Sequence, residues 1–491
     1  MVVGAFFLQG YEGPKNRYHQ HLEAKTKEVC TDHGDDVFCT HLPLLNITTD
    51  GEIPEPYILN EDGTIKIDEQ GNKIKNKEYV KSKITYFDSS KTNNHLADVP
   101  TISTNALVRI RGTSSRDFDK KGYYIKTTSK SFDTKNKVSF SGMVEDSNWI
   151  LNGPFMDKTL IRNYMCYNLS GQIMEYAPEV RFCEMFLNGN YQGLYLIIEK
   201  IDFNNKGRIK RNSEPIGNEI TPYIIKMDRG TDEESRRLYT YGMSTGLMYE
   251  YGESYAQPSI EYPSKTLTEA NRKYIERDFS KFEKILTSFD SKDKNLGYSK
   301  YIDLNSFAEY YLINELTMNY DAMGLSTYLY KDIGERIKLS VWDFNNAFDN
   351  YKYCVTNPQS LRLQNKLWYK YLFKDKTFVD LVRKKYEKLR TTYFSEEYLF
   401  NYIDETIEYL GPAIDRNYEK WGYSFSKTYH NEPQDLLIPE KRNPRNYETS
   451  IQQLKKTIHE RLKYMDQHID DLYFYSNDSM NKKYNVKTGG D

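Results

Sequence analysis

No stretch of the sequence reaches the roughly 18 consecutive apolar residues that a membrane-crossing helix needs, so no transmembrane span is expected. Neither charge is in excess: 68 Lys and Arg stand against 70 Asp and Glu. A balance this close to neutral gives no electrostatic footprint for nucleic acid or an anionic membrane surface. Cysteine is scarce. Cys30, Cys39, Cys166, Cys183 and Cys354 are odd in number and contain no CxxC pair, which argues against a disulfide framework and the common zinc patterns. Cys166 and Cys183 lie in apolar surroundings and are expected in the core. Cys30 and Cys39 bracket a short loop and are the pair that an oxidising compartment would join. His19, His21, His33 and His41 lie nearby, but their spacing matches no metal-site pattern, and a polar surface loop is expected. MVVGAFFLQG, at the N-terminus, has no basic stretch before its apolar run, so no signal peptide is read there. Repeats and long linkers are also missing. The 491 residues are expected to form one body of two or three domain-sized units.

What the chain does have is tyrosine, 44 copies against 23 Phe. Its ring and hydroxyl together suit half-buried positions. Leu44–Thr49 alternates as a strand. Turn signals at Asp62-Gly63 and Gly71-Asn72 predict an inserted, exposed hairpin over 55–85. Ala106–Arg111 (ALVRIR) also alternates, with Val108 and Ile110 on one face and Arg109 and Arg111 on the other. A polar loop, Gly112-Thr113-Ser114-Ser115, leads to a second strand, Tyr123–Thr127. Its pleat puts Tyr124 and Lys126 on a common face. Asp157–Ile173 reads as a helix capped by Asp157. Further strands are expected at Arg181–Leu187, Leu194–Glu199 and Tyr223–Asp228. The second half is mostly helical. Thr266-Leu267-Thr268-Glu269 has capping-box spacing. Helices are predicted from there to about Ser288, and over Asn305–Met318, Gln364–Leu372, Thr377–Tyr393, Glu396–Tyr409 and Tyr447–Leu472. The tail from Ser476 is polar and expected to be disordered.

One stretch, Asn319–Asn350, holds the strongest chemical signal. Asp321 ends a helical segment. Two β-type runs follow, Ser326–Lys331 and Ile337–Phe344, around a tight turn at 332–335, and the second contains Asp343. The turn can carry both carboxylates to one end of the hairpin. Two acids aimed at one point repel unless a cation or a shared proton lies between them. A β-rich half before a helical half predicts a cleft. Arg111 and Lys126 can enter it from the sheet, and Asp321 and Asp343 from the hairpin. Cations opposite paired carboxylates suit a phosphate ligand with a divalent metal. Plainer readings exist for each residue: Lys126 as a solvated strand lysine, Arg111 as a turn-stabilising arginine, Asp321 as an Asx turn. Asp343 is harder to dismiss, because Val341, Trp342 and Phe344 imply burial, and a buried Asp without partners is costly.

These residues lie within a series of segments that resembles the spore-coat protein H (CotH) kinase family. The segments are LPLLNITTDG (42–51), RIRGTSSRDFDKKGYYIKT (109–127), WILNGPFMDKTLIRNYMCYNLSG (149–171), YAPEVRFCEMFLNGNYQGLYLIIEKID (176–202), YIIKMDRG (223–230), NYDAMGLSTYLYKD (319–332), VWDFNNAFDN (341–350) and LKKTIHERLKYM (454–465). The resemblance implies an α+β, atypical protein-kinase-like bilobal fold. Its antiparallel β-rich N-lobe would span 42–230, after an irregular segment 1–41, and its helical C-lobe 231–475. It implies ATP, Mg2+ or Mn2+, and a protein substrate phosphorylated on Ser or Thr. By motif, Lys126 matches the nucleotide-phosphate lysine, Asp321 the catalytic-loop aspartate and Asp343, with Asn346, the metal side. Arg111 would shape the loop over the phosphates, and Glu199 would take a nucleotide-side or ion-pair role. The chain departs from the family pattern at Ser326, where Asn is common, at Asn345, which replaces an acid, and at Asp349, which replaces a glycine. These departures bear on a second metal position more than on the first. A spore-coat or cell-surface setting is implied by the resemblance alone. Two other expectations stay open: the same fold transferring AMP, and a non-catalytic coat or surface binding protein.

Overall fold

Alternation in Ala106–Arg111 marks a strand of a closed barrel. The computed structural model describes residues 17–23, 27, 38–68, 71, 73–204, 208–229, 233–245, 247, 257–350, 359–427 and 442–476. Its barrel strands are β1 (Leu44–Thr49), β2 (Val80–Phe87), β3 (Ile102–Arg111), β4 (Gly122–Thr128), β5 (Asn148–Asn152), β6 (Val180–Leu187) and β7 (Asn190–Glu199). They close in the order β1-β2-β3-β4-β5-β7-β6. Neighbours are antiparallel except β1 and β6, which are parallel. Closure leaves no unpaired barrel edge. Val108, Ile110, Tyr123 and Ile125 fill the interior with Ile84, Trp149 and Met185. The two-residue period therefore turns Arg109, Arg111, Tyr124 and Lys126 outward, where each is half-buried. Strands β6 and β7 are covered on both sides. Cys183, Met185 and Ile197 face the barrel core, while Phe182, Leu196 and Ile198 join a larger core outside it. Double burial explains their nearly unbroken apolar runs.

The larger core packs a second sheet against helices. That sheet has the order β11-β10-β8-β9, with β8 (Tyr223–Asp228), β9 (Gln257–Tyr262), β10 (Thr327–Lys331) and β11 (Lys338–Ser340). The helices are α1 (Arg162–Ile173), the one-turn α2 (Tyr241–Ser244), α3 (Glu269–Leu286), α4 (Leu304–Leu316), the short α5 (Tyr369–Leu372), α6 (Lys376–Arg390), α7 (Glu396–Leu410), α8 (Pro412–Trp421), α9 (Tyr447–His468) and α10 (Leu472–Ser476). Helix α1 is buried from Arg162 to Gly171, as expected of a helix enclosed on all sides. Among the described residues no helix is long and apolar enough to cross a membrane.

Several expected boundaries move, for identifiable reasons. Helix α1 starts at Arg162 and not at Asp157, because Leu160 has φ 65° and breaks the turn. Asp157 still serves the helix: its Oδ2 accepts from the Arg162 amide at 2.9 Å, and its Oδ1 from the Thr159 amide at 3.0 Å. The capping box of α3 uses Thr268 and Asn271 rather than Thr266 and Glu269. The helix expected over Gln364–Leu372 is a 3-10 turn followed by α5, interrupted where Leu367 has φ 43°. Helix α8 was not anticipated, although Pro412 at its first position is a standard start signal. The inserted hairpin is held by isolated bridges from Tyr57↔Lys75 to Leu59↔Ile65, and residues 80–85 belong instead to β2. The run Ile337–Phe344 keeps only three ladder residues. His19 and His21 are not on a surface loop. They are buried, with His19 Nδ1 3.1 Å from the Tyr402 hydroxyl and His21 Nδ1 2.9 Å from that of Tyr164. Cys166 and Cys183 are buried free thiols. Cys30, Cys354, His33 and the tail beyond 476 lie outside the described residues.

Helices α4 and α9 are joined by a buried ion pair. Arg461 donates to the Glu315 carboxylate at 2.6 Å, to the Glu315 carbonyl at 3.0 Å and to the Ser360 carbonyl at 2.6 Å. Both side chains are essentially inaccessible. Removing one partner strands the other charge in the core, at a cost of about 3–5 kcal/mol. Arg461→Ala is therefore expected to lower the unfolding free energy, measured by urea denaturation, by that amount. A loss below roughly 1 kcal/mol would mean that water reaches the carboxylate and that the pair does not anchor α4.

Candidate active site

The chain leaving α4 and the chain leaving β11 meet on α1. Asn319, just past the C-terminus of α4, donates from Nδ2 to the Asp343 carbonyl at 3.3 Å and to Asn314 Oδ1 at 3.1 Å. Two residues later stands Asp321. On the other chain, the Asp343 amide donates to the Tyr167 hydroxyl at 3.0 Å, and the Phe344 amide to Asn163 Oδ1 at 2.8 Å. Asn163 also donates to Asn345 Oδ1 at 2.8 Å. Buried side chains of α1 thus hold the Asp343 loop, and Asn319 ties that loop to the Asp321 segment. The β10–β11 turn that folds the two together is closed by the Glu335 amide donating to the Asp332 carbonyl at 3.1 Å. Gly334 supplies the φ of 77° that the turn requires.

The backbone here is strained. Met318, Met323, Ser326, Asp343, Phe348 and Asp349 all have φ between 49° and 65°. L-residues adopt this region at a cost of about 1–2 kcal/mol each, less for Asn and Asp, whose side chains can bond the local backbone. Strain of this kind persists only where the surroundings over-determine it, and it gathers at functional sites. The hydrogen bonds from α1 and Asn319 supply that constraint.

A cavity of about 430 Å³ opens over the pair. Asp321, Asp343, Asn345, Asn346 and Ser326 line it, with Arg109 and Arg111 from the end of β3 and Lys226, Asp228, Arg229 and Glu261 from the second sheet. Asn346 donates from Nδ2 to Asp321 Oδ2 at 3.1 Å. Burial, then the nearby Asp343 carboxylate, pushes the Asp321 pKa up to about 7, against the pull of Arg229 and Asn346. Burial also raises Asp343, opposed by the Asn345 amide and by Arg111. Arg111 lies over the Trp342 ring, 5.7 Å from its centre. Its loop turns at Gly112, with φ 115°, where a Cβ would lie within 1.9 Å of Ser115 Oγ. Arg116 braces this loop by donating to the carbonyls of Gly112, Pro56 and Asn76 at 2.7, 2.6 and 3.1 Å.

The structure thus gathers Asp321, Asp343, Asn346 and Arg111. It does not bring in the other two predicted residues. Lys126 lies on the outer barrel face with its ammonium 4.3 Å from the centre of the Tyr79 ring, outside the lining described above. Glu199 is buried elsewhere, 3.4 Å from Arg208 Nε and accepting from the Glu179 amide at 3.1 Å. Asp349 pairs with Arg442 at 2.7 Å rather than lining the cavity. Sequence reading missed Lys226 and Asp228, although YIIKMD alternates so that these two share the face opposite Ile225 and Met227. It also missed Asn163 and Tyr167, which carried no signal beyond their place in a buried helix.

Among the described residues no three His, Cys, Asp or Glu side chains gather into a metal-ligand cluster. The donor set still fits one cation with phosphate. Two half-buried carboxylates repel across a cavity whose opposite wall is cationic. The buried Nε of Arg109 on that wall has no hydrogen-bond partner, as suits an anion-binding surface. The CotH kinase protein family model matches residues 108–465, most of the chain, and the chain belongs to that family. No curated protein matches it significantly.

The Asp321 shift has a thermodynamic consequence. A carboxyl raised in the fold contributes stability that is complete below its unfolded pKa, near 3.8, and is lost as the pH rises through about 7. Asp321→Asn, which cannot ionise, is expected to stay close to the parent near pH 4 and to exceed it by up to about 4 kcal/mol at pH 8. Urea melts across that range measure the difference. A variant less stable than the parent at pH 8 would show that the carboxylate is not repelled in the fold.

Proposed function

We propose that the cavity is the active site of a metal-dependent protein kinase that transfers the γ-phosphate of ATP to a Ser or Thr hydroxyl of a protein substrate. Family membership supports a kinase-like activity. The observation that carries the finer reading is the convergence of Asp321 and Asp343 opposite Arg111. Phosphoryl transfer needs little covalent chemistry from the protein. It needs positioning, charge neutralisation and an acceptor for the hydroxyl proton. Asp321 takes that proton at its carboxylate, and a pKa near 7 suits a base working near neutrality. Asn346 orients Asp321 through its 3.1 Å hydrogen bond and, with Asp343, offers oxygen donors on the metal side. Arg111 sets its guanidinium against the phosphate chain, and the Gly112 turn lets the backbone approach. Mg2+ or Mn2+ held by Asp343 and Asn346 would supply the positive charge that lets both aspartates ionise together and would neutralise phosphate oxygens. The same proposal takes residues 42–230 and 231–475 as the two lobes of a kinase-like body, with β8 of the first range paired to β10 of the second.

Asp343→Ala and Asp321→Asn are each expected to reduce phosphate transfer to a protein substrate by at least about 100-fold, with circular dichroism unchanged. Transfer of radiolabelled γ-phosphate measures this. Full metal-dependent activity in either variant removes that residue from its role. Labelling from α-phosphate in place of γ-phosphate would instead establish AMP transfer. Ser326→Asn is expected both to relieve the φ of 49° at this position and to supply an amide oxygen to the metal side. Its melting temperature should rise, and its Mn2+ requirement should fall. A lower melting temperature would contradict the backbone argument.

A further inference from the structure

Arg109 and Arg111 reach the cavity from the barrel, but Lys126 does not line it; the lysines that do are Lys75, Lys77 and Lys226, and Lys75 already donates to Thr113 Oγ1 at 3.2 Å. The second sheet supplies an alternative. Lys226 lies on β8, the central strand flanked by β10 and β9, with Tyr328 and Ser259 as its ladder neighbours. Ile225 and Met227 point into the core, so the pleat turns Lys226 and Asp228 together toward the cavity, and both line it. The Lys226 ammonium lies 2.6 Å from Asp228 Oδ2, and both side chains keep partial exposure, 26% and 17%. Burial would favour loss of its proton, but Tyr328, Asp228 and Glu261 outweigh it and raise its pKa, so the charge is kept. A lysine has three donors, and a carboxylate that fixes one of them leaves the others aimed by the strand.

We infer that Lys226, held in place by Asp228, and not Lys126, is the lysine that binds the nucleotide phosphates. The inference rests on the kinase reading and makes it more specific. Lys226 and Arg111 would grip the phosphate chain from the second sheet and the barrel respectively, with Asp343 and Asn346 on the metal side. Asp228 acts as a positioning residue: its carboxylate holds the ammonium and adds negative charge near Asp321 and Asp343. Lys126 would serve the barrel surface through its contact with Tyr79.

Calorimetric titration of MgATP into the parent, Lys226→Met, Lys126→Met and the double variant Lys226→Gln/Asp228→Asn separates the two lysines. The double variant removes the pair without stranding a buried charge, so it preserves the test if Lys226→Met folds poorly. Both Lys226 variants are expected to weaken MgATP binding by at least about tenfold, and Lys126→Met by no more than about twofold. Tenfold weakening by Lys126→Met, or parent-like binding by the Lys226 variants, overturns the inference and leaves the kinase reading intact. A parent protein that binds no MgATP overturns both together.

Discussion

Two carboxylates that repel each other are held at one cavity, and much of the local structure exists to keep them there. Asp321 and Asp343 come from different chain segments. Asn319 spans the gap by donating to the Asp343 carbonyl, and Asn163 and Tyr167 of α1 clamp the amides that follow. The backbone accepts left-handed conformations at Ser326, Asp343 and their neighbours to make this possible. Such an arrangement lowers stability unless something outside the chain relieves the repulsion. On the proposed reading a divalent cation with a phosphate chain would do so, and the cationic wall at Arg109 and Arg111 would face the phosphates.

The surrounding architecture follows from where strands are covered. β3 and β4 are buried on the barrel side only, so their outer faces can carry Arg109 and Arg111. β6 and β7 are buried on both sides and carry the contact between barrel and helices. Deep in the helical side, Arg461 and Glu315 lock α9 onto α4. The chain leaving α4 then enters the site within a few residues, so core packing far from the cavity sets the position of Asp321.

Alternation made β1, β3, β4 and β8 legible, because the two-residue period of a half-buried strand is a strong signal. The 3–4 spacing of apolar residues did the same for α9. Boundaries were less legible where one residue with positive φ breaks a helix, as at Leu160 and Leu367. Nothing in a local window forecasts that conformation for leucine; the tertiary surroundings impose it. In the site, Arg111 could be picked out because it ends β3, and Asp321 and Asp343 because each lies in the short segment that follows a recognisable element, α4 and β11. Lys226 and Asp228 could not be separated from Lys126 by pattern alone. All lie on alternating strands, and only the sheet order decides which strand faces the cavity. β8 pairs with β10 and β9 and leaves the barrel to the other strands.

The central claim is that the Asp321–Asp343 cavity receives a metal-bound nucleotide. A crystal structure of the protein with Mg2+ and a non-hydrolysable ATP analogue tests it most directly. The predicted result is a phosphate chain inside this cavity, with Arg111 within hydrogen-bonding distance, the metal touching Asp343, and Asp321 left facing an open position for the acceptor hydroxyl. An analogue bound at another surface, or bound here with its phosphates turned away from Asp343, would contradict the account.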